Sequence, residues 1–285
     1  MPVSTMYNSL IAAAVVLTSA ALPSPTLDSF YTRRLDAAGI PVVGSARAPT
    51  QALEIARDLT IDMLAARPDL LAALVARGQR VALMAEDEST TDLPEQRDWK
   101  KPAPNDVRLT RCERLHYAAR IGALTDRQYW NARARGMAGV LTSGGAEDLL
   151  GLPHSRYAGQ NIFVHEMAHD VFDAIHAVDK PLYARVEAAY RHALSAGLWK
   201  GEYATTTLTE YWAVGTQFWF DDAPVARFDG HTVLSHDDLT TYDPSLAAVL
   251  RAAYGERHRL AADRWWQSPL RVPRGPLPAN TAEVC

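Results

Sequence analysis

Cysteine is scarce in this sequence, and so are clusters of basic residues. Only two cysteines, Cys112 and Cys285, occur in 285 residues, and neither has a second cysteine at zinc-ligand spacing. This excludes a disulfide-rich scaffold and a cysteine-ligated zinc site. The two cysteines could form one disulfide that ties the end of the chain to its body, or they could stay as unpaired thiols. The 29 Lys/Arg residues are spread among 33 Asp/Glu residues, which predicts an ordinary solvated surface and no nucleic-acid partner.

Long apolar runs are also rare. The longest lies near the N-terminus, from Leu10 to Leu22, and it is too short to span a bilayer comfortably. It ends in small residues and prolines, which is typical of a secretory signal peptide cleaved near Ala20 or Ala21. The segment before it has no Lys or Arg, so a disordered or helical N-terminal tail is the alternative. We expect residues 1–22 to be a signal peptide, the mature protein to be secreted or periplasmic, and no membrane association after cleavage.

The rest of the chain has no internal repeat and no linker between domains. Residues 28–270 are expected to form one helix-rich α+β domain, followed by an extended proline-rich tail at 271–285. Short apolar runs that predict strands lie in IPVVGS, QRVALMAEDE and GMAGVLTSGG. A long polar loop is predicted for STTDLPEQRDWKKPAPNDV. Apolar periodicity with proline starts and glycine stops predicts helices at 48–78 (split near Pro68), 161–178, 180–197, 205–220 and 244–255.

The segment NIFVHEMAHDVF, residues 161–172, carries the main chemical signal. His165 and His169 are four residues apart, so a helix presents both imidazoles on one face, with Glu166 beside them. This His-Glu-x-x-His spacing is that of zinc hydrolases. The alternative is a helix with two unremarkable histidines. The apolar flanks argue against it, because histidines on a half-buried helix need polar partners.

A zinc site of this kind needs a third protein ligand and leaves a fourth position for water. Glu210 is the candidate, because it lies in the apolar helix of TEYWAVGTQFWF, where an unpaired carboxylate is costly. A glutamate that caps its own helix is the alternative. Asp170, which follows His169, could orient an imidazole, and Asp173 is a second candidate for that task.

The pattern His165-Glu166-x-x-His169 with Glu210 in TEYWAVG resembles the gluzincin metallopeptidases. It is most similar to the catalytic domain of anthrax lethal factor and its relatives, and to a group of uncharacterised secreted metallopeptidase-like proteins of bacteria and fungi. Tyr203 stands seven residues before Glu210, as in that family. The resemblance departs at Val214, where a second acid is expected.

This resemblance implies a zincin-like fold in which a small sheet packs on the zinc-binding helix. It implies one Zn²⁺ per chain, held by His165, His169 and Glu210, and a peptide or protein substrate. Glu166 is expected to accept the proton of the attacking water, and Tyr203 to donate a hydrogen bond to the developing oxyanion. Without the resemblance, Tyr203 is equally well an aromatic residue at a helix start.

Three further residues could line the substrate cleft, namely His154, Tyr157 and His176, although loop surface or a solvated histidine explains them as well. The segment GVLTSGG is a candidate edge strand for an extended substrate. A zinc hydrolase of an ester, amide or glycan bond is one alternative function. A non-catalytic, metal-stabilised binding or effector protein is another, but it would not need Glu166 and would favour four protein ligands. We expect a monomer.

Overall fold

The computed structural model of the protein describes residues 27–276. The predicted signal peptide and Cys285 lie outside that range, so secretion stays a prediction and the pairing of Cys112 with Cys285 stays open. Cys112 itself is buried. No helix in the described range is both long enough and apolar enough to cross a bilayer.

A four-stranded sheet forms one layer of the fold. Its first two strands are an antiparallel hairpin, and the next two pairs are parallel. The first strand, with the sequence RRLDA, was not predicted because most of its residues are polar and exposed. The other three strands are almost entirely buried, as expected from their apolar runs. In order across the sheet, the strands are β1 (Arg33–Ala37), β2 (Ile40–Gly44), β3 (Arg80–Met84) and β4 (Leu141–Gly145).

The predicted helices form the second layer, and the long segment at 48–78 is divided before Pro68 as predicted. In this group the helices are α1 (Thr50–Leu64), α2 (Pro68–Ala76), α6 (Ile162–Val178), α7 (Lys180–Ala196), α8 (Leu208–Trp219) and α10 (Pro244–Tyr254). A short helix directly after β4 is α5 (Ala146–Leu149).

Several elements were not predicted. The helices α3 (Arg111–Leu115) and α4 (Asp126–Arg133) lie in a polar stretch without apolar periodicity, and a small hairpin, β5 (Ala226–Phe228) with β6 (His231–Val233), follows α8. The segment after β6 forms α9 (His236–Tyr242). Ser235 begins this helix, because its hydroxyl accepts from the Asp238 amide while the Asp238 carboxylate accepts from the Ser235 amide.

The helix α6 occupies the centre of the molecule. It packs against β4 and α2 on one side and against α7 and α8 on the other. Its apolar residues, such as Phe163 and Val171, are buried in the main core together with Trp212 and Trp219 of α8. The predicted fold class is therefore confirmed: the protein is a helix-rich α+β domain whose small sheet packs on the helix that carries His165 and His169.

The outer edge of β4 is partly closed, which corrects the expectation that it is free to pair with a substrate. The Ser143 amide donates to the Met137 carbonyl at 2.8 Å, and the Met137 amide donates to the Ser143 carbonyl at 3.2 Å. The outermost segment beside β4 is thus residues 136–139. It passes over α6, since a Cβ atom placed on Gly136 would lie 3.2 Å from Cγ of Glu166.

Candidate metal centre

The two histidines of the motif lie one turn apart on α6, as predicted. The helix begins at Asn161, whose side chain accepts a hydrogen bond from the Val164 amide. His165 is buried and His169 is half-buried. Their Nε2 atoms lie 3.2 Å apart and face the same point.

Glu210 reaches that point from the first turn of α8. Its Oε2 atom lies 3.0 Å from Nε2 of His165 and 3.5 Å from Nε2 of His169. The helix is capped instead by Thr207, whose hydroxyl accepts from the Glu210 amide. The alternative in which Glu210 caps its own helix is therefore not what the structure shows.

These three atoms fit a zinc ion without rearrangement. For bonds of 2.0–2.1 Å in a tetrahedral site, ligand atoms lie about 3.3 Å from one another. The observed separations of 3.0, 3.2 and 3.5 Å bracket that distance. Within residues 27–276, His165, His169 and Glu210 form the one group of at least three His, Cys, Asp or Glu residues whose ligand atoms all lie within 4.8 Å.

The electrostatics of the triad favour a positive charge at its centre. Burial of the His165 ring lowers its pKa, but the hydrogen bond and the charge of Glu210 outweigh this effect and raise the pKa to about 9. Burial raises the pKa of Glu210, but the hydrogen bonds from both histidines outweigh it and hold the pKa well below its usual range. A proton or a metal cation satisfies the same three groups.

Gln217 supports His165 from α8, and the sequence analysis missed it. Its Oε1 atom accepts from Nδ1 of His165 at 2.9 Å, which leaves the Nε2 lone pair for a metal. The Gln217 side-chain amide donates to the Asn161 carbonyl at 3.1 Å, and this contact fixes its orientation. The signal was its spacing, because a residue seven after Glu210 lies on the same face of the helix. Val214, where the resemblance expects an acid, instead packs against the core.

Neither of the aspartates expected to orient an imidazole does so. Asp170 is fully buried and turns toward the sheet, where it contacts Arg77 and Thr142. Asp173 is exposed and lies 3.3 Å from Arg77. The correction has a geometric reason, since consecutive residues point about 100° apart around a helix and Asp170 therefore faces away from the metal-binding edge of α6.

Glu166 lies at the rim of the triad, half-buried beneath residues 136–139. Burial raises the pKa of its carboxyl group and the charge of Glu210 adds to the effect, while His165 and His169 lower it. A raised pKa makes this carboxylate a better proton acceptor at neutral pH than an exposed glutamate.

Tyr203 lies beside the triad, with its ring stacked on that of His165 at 6.4 Å. It begins a 3₁₀ turn, Tyr203–Thr205, just before α8, and the residue is 38% exposed. Its hydroxyl donates to Oε1 of Glu210 at 3.1 Å. Burial and the charge of Glu210 raise the pKa of Tyr203, so the phenol keeps its proton and remains a donor.

The three residues proposed to line the cleft have different positions. Tyr157 comes near it, because its hydroxyl accepts from the Arg135 amide, next to Gly136. His154 is exposed and lies 2.9 Å from Glu86, and the shallow pocket that it lines contains none of the triad residues. His176 is exposed in the last turn of α6, where it packs against Tyr183. The structure therefore does not bring His154 or His176 to the metal centre.

No protein-family profile matches the sequence, and no curated protein is similar to it. One solved structure that aligns with this fold is that of a Pro-Pro endopeptidase from Paenibacillus alvei. It is 15% identical, with a TM-score of 0.46, and the alignment covers 74% of this chain and 96% of that chain. This likeness is too distant to assign a family or an activity to this chain. The proposal of a function therefore rests on the side chains described above.

Proposed function

We propose that this protein is a zinc-dependent hydrolase and, within that class, a secreted peptidase. One observation carries the proposal: Nε2 of His165, Nε2 of His169 and Oε2 of Glu210 converge at zinc-ligand separations, with a half-buried glutamate at the rim. A structural zinc site would favour four protein ligands. Only three are found among the described residues, which leaves a position for a reacting molecule.

The chain's own residues supply the proton transfers. A bound zinc ion would make water acidic enough to lose a proton near neutral pH and would polarise the bond under attack. Glu166 accepts that proton, because burial has raised the pKa of its carboxyl group toward the range where a general base is effective. The same carboxyl group then returns the proton to the leaving group, which is an amine when the substrate is a peptide.

Tyr203 acts on the developing oxyanion. Its hydroxyl donates to Glu210 in this structure, and the residue is partly exposed to solvent. A rotation of the side chain redirects this donor to a substrate oxygen, where preorganised donors contribute most. Residues 136–139 lie next to Glu166.

The experiment combines metal analysis with an unbiased peptide-library digest. We expect about one zinc per chain in the wild type and strong loss of zinc in Glu210→Ala, which removes a ligand. Glu166→Gln keeps the shape but cannot accept a proton, so zinc should stay bound while kcat/KM falls about 10²–10⁴-fold. Glu54→Gln, an exposed change of the same type on α1, should leave both unchanged.

Tyr203→Phe in the same assay separates binding of zinc from stabilisation of the oxyanion. We expect full zinc content and a loss of about 10²–10³-fold in kcat, as for removal of one oxyanion donor. Wild-type protein without zinc or hydrolysis, or Glu166→Gln with wild-type turnover, would contradict the hydrolase. Tyr203→Phe with wild-type turnover would withdraw only the role of that tyrosine.

A further inference from the structure

The nearly balanced charge of the whole chain hides a basic segment. From Arg97 to Arg135 there are ten Lys/Arg residues and four Asp/Glu residues, whereas the remainder has 19 and 29. The segment therefore carries a net charge of +6 and the remainder −10. It includes α3 and α4, which pack around a small core of their own formed by Leu109, Ile121 and Tyr129.

The acidic residues just before this segment do not neutralise it as a whole. Asp92 pairs with Arg127 of the segment, but the other four acids in this stretch are paired outside it. Their partners are His154 for Glu86, Arg47 for Asp87 and Glu88, and Arg80 for Glu95.

The basic segment reaches the metal centre at the end of α4. Arg133 is the last residue of that helix and is exposed. Gly136, which contacts Glu166, follows three residues later, and three residues span at most about 10 Å. The positive charge of Arg133 also acts on Tyr203, whose pKa it lowers against the larger effects of burial and Glu210. Arg133 is therefore placed near Glu166 and Tyr203, the two residues proposed to act on the substrate.

Arg133 has hydrogen-bonding capacity that the protein leaves unused. Its nearest acid is Glu113 of α3, at 3.7 Å, which is beyond hydrogen-bond distance. Within residues 27–276, no acceptor hydrogen-bonds to its guanidinium. Arg135 differs, because it is mostly buried and makes two hydrogen bonds to Glu147, at 2.5 and 2.7 Å. Arg135 therefore holds the fold together, while Arg133 is available to a ligand.

We infer that Arg133 binds a carboxylate side chain of the substrate, so that the enzyme prefers peptides with Asp or Glu close to the scissile bond. The inference rests on the proposed function and narrows its substrate class. The planar guanidinium offers a pair of parallel donors that match a carboxylate. The surrounding net positive charge attracts an acidic peptide and makes its binding depend on salt.

The test uses peptides identified by the library digest, resynthesised with Asp, Asn or Lys at each position around the cleaved bond. For wild-type protein we expect a preference of about tenfold in kcat/KM for Asp over Asn at one position, as for one charged hydrogen bond that is partly exposed. Arg133→Gln should remove this preference, and Arg133→Glu should invert it in favour of Lys. Arg185→Glu, the same charge reversal on the exposed face of α7, should leave it unchanged.

Zinc content and thermal unfolding of each variant show whether it is folded. Equal cleavage of the Asp, Asn and Lys peptides by the wild type would overturn the inference and leave the hydrolase standing. An acidic preference that persists in Arg133→Glu would overturn it too, and would mean that Arg133 serves α4 alone. If the zinc-loaded wild type cleaves no peptide in the library, the proposed peptidase fails and this inference falls with it.

Discussion

Two polar clusters lie on different faces of α6, and they differ in how their charges are satisfied. Around Asp170, one buried carboxylate receives four donors from the protein, namely Arg77, Gln79, Thr142 and the amide of Gly139. Around His165 and His169, three potential acceptor atoms face one another instead. The first cluster is complete as it stands, whereas the second is complete only with an added proton or metal ion.

The difference explains why the same helix serves both stability and chemistry. Burial raises the pKa of Asp170 to about 6, with the Thr142 hydrogen bond and the charge of Arg77 opposing it, so the carboxylate remains ionised at neutral pH. It anchors Gly139 and α2 to α6, and so holds residues 136–139 over Glu166. The triad contributes less to the stability of the fold, because Glu210 and His169 are each partly open to solvent.

The largest expected effect is the loss of stability on substitution of Asp170. Asp170→Ala leaves Arg77 and the buried Gln79 and Thr142 without their acceptor, which should lower the free energy of unfolding by about 3–5 kcal/mol. In metal-free protein His169→Ala should cost less, about 1–2 kcal/mol, because its side chain is 17% exposed and receives no comparable set of donors. Urea denaturation in the presence of a chelator measures both. Similar losses for the two variants would mean that the clusters do not differ in this way.

A second effect concerns pH and zinc affinity. In the metal-free triad the pKa of His165 is about 9, so at lower pH this ring holds a proton that zinc must displace. Apparent zinc affinity should therefore fall about tenfold for each pH unit below that value, or about 100-fold from pH 8 to pH 6. Competition with a chromophoric chelator, corrected for its own protonation, measures this change. Constant affinity across this range would show that no proton occupies the triad.

Much of this arrangement could be predicted from sequence, because it depends on the periodicity of apolar residues and on the spacing of the two histidines. Apolar periodicity placed α6 and α8, and the four-residue spacing put His165 and His169 on one face. Glu210 was recognisable because a carboxylate in an apolar helix requires a partner. The helices α3 and α4 were not recognisable, since α4 is mostly polar and buries only Tyr129 in a small separate core.

The residues that support the metal ligands were harder to identify. Asp170 was chosen because it is next to His169 in sequence, but neighbours in a helix point in different directions. Gln217 carries no charge, so its presence in an apolar helix does not signal a metal site. Only the packing of α8 on α6, which composition does not determine, brings its side chain to Nδ1 of His165.

The smallest expected effect tests whether Gln217 belongs to the triad or merely fills space. Gln217→Ala removes the acceptor that orients His165, and zinc affinity should fall about 10–100-fold. Gln217→Glu keeps an acceptor at the same place and should retain most of the affinity, because carboxylates commonly support metal-binding imidazoles. Gln51→Ala, on the exposed face of α1, controls for the loss of a glutamine side chain. Equal loss of affinity in both Gln217 variants would assign Gln217 to packing between α6 and α8, because the retained acceptor would then have made no difference.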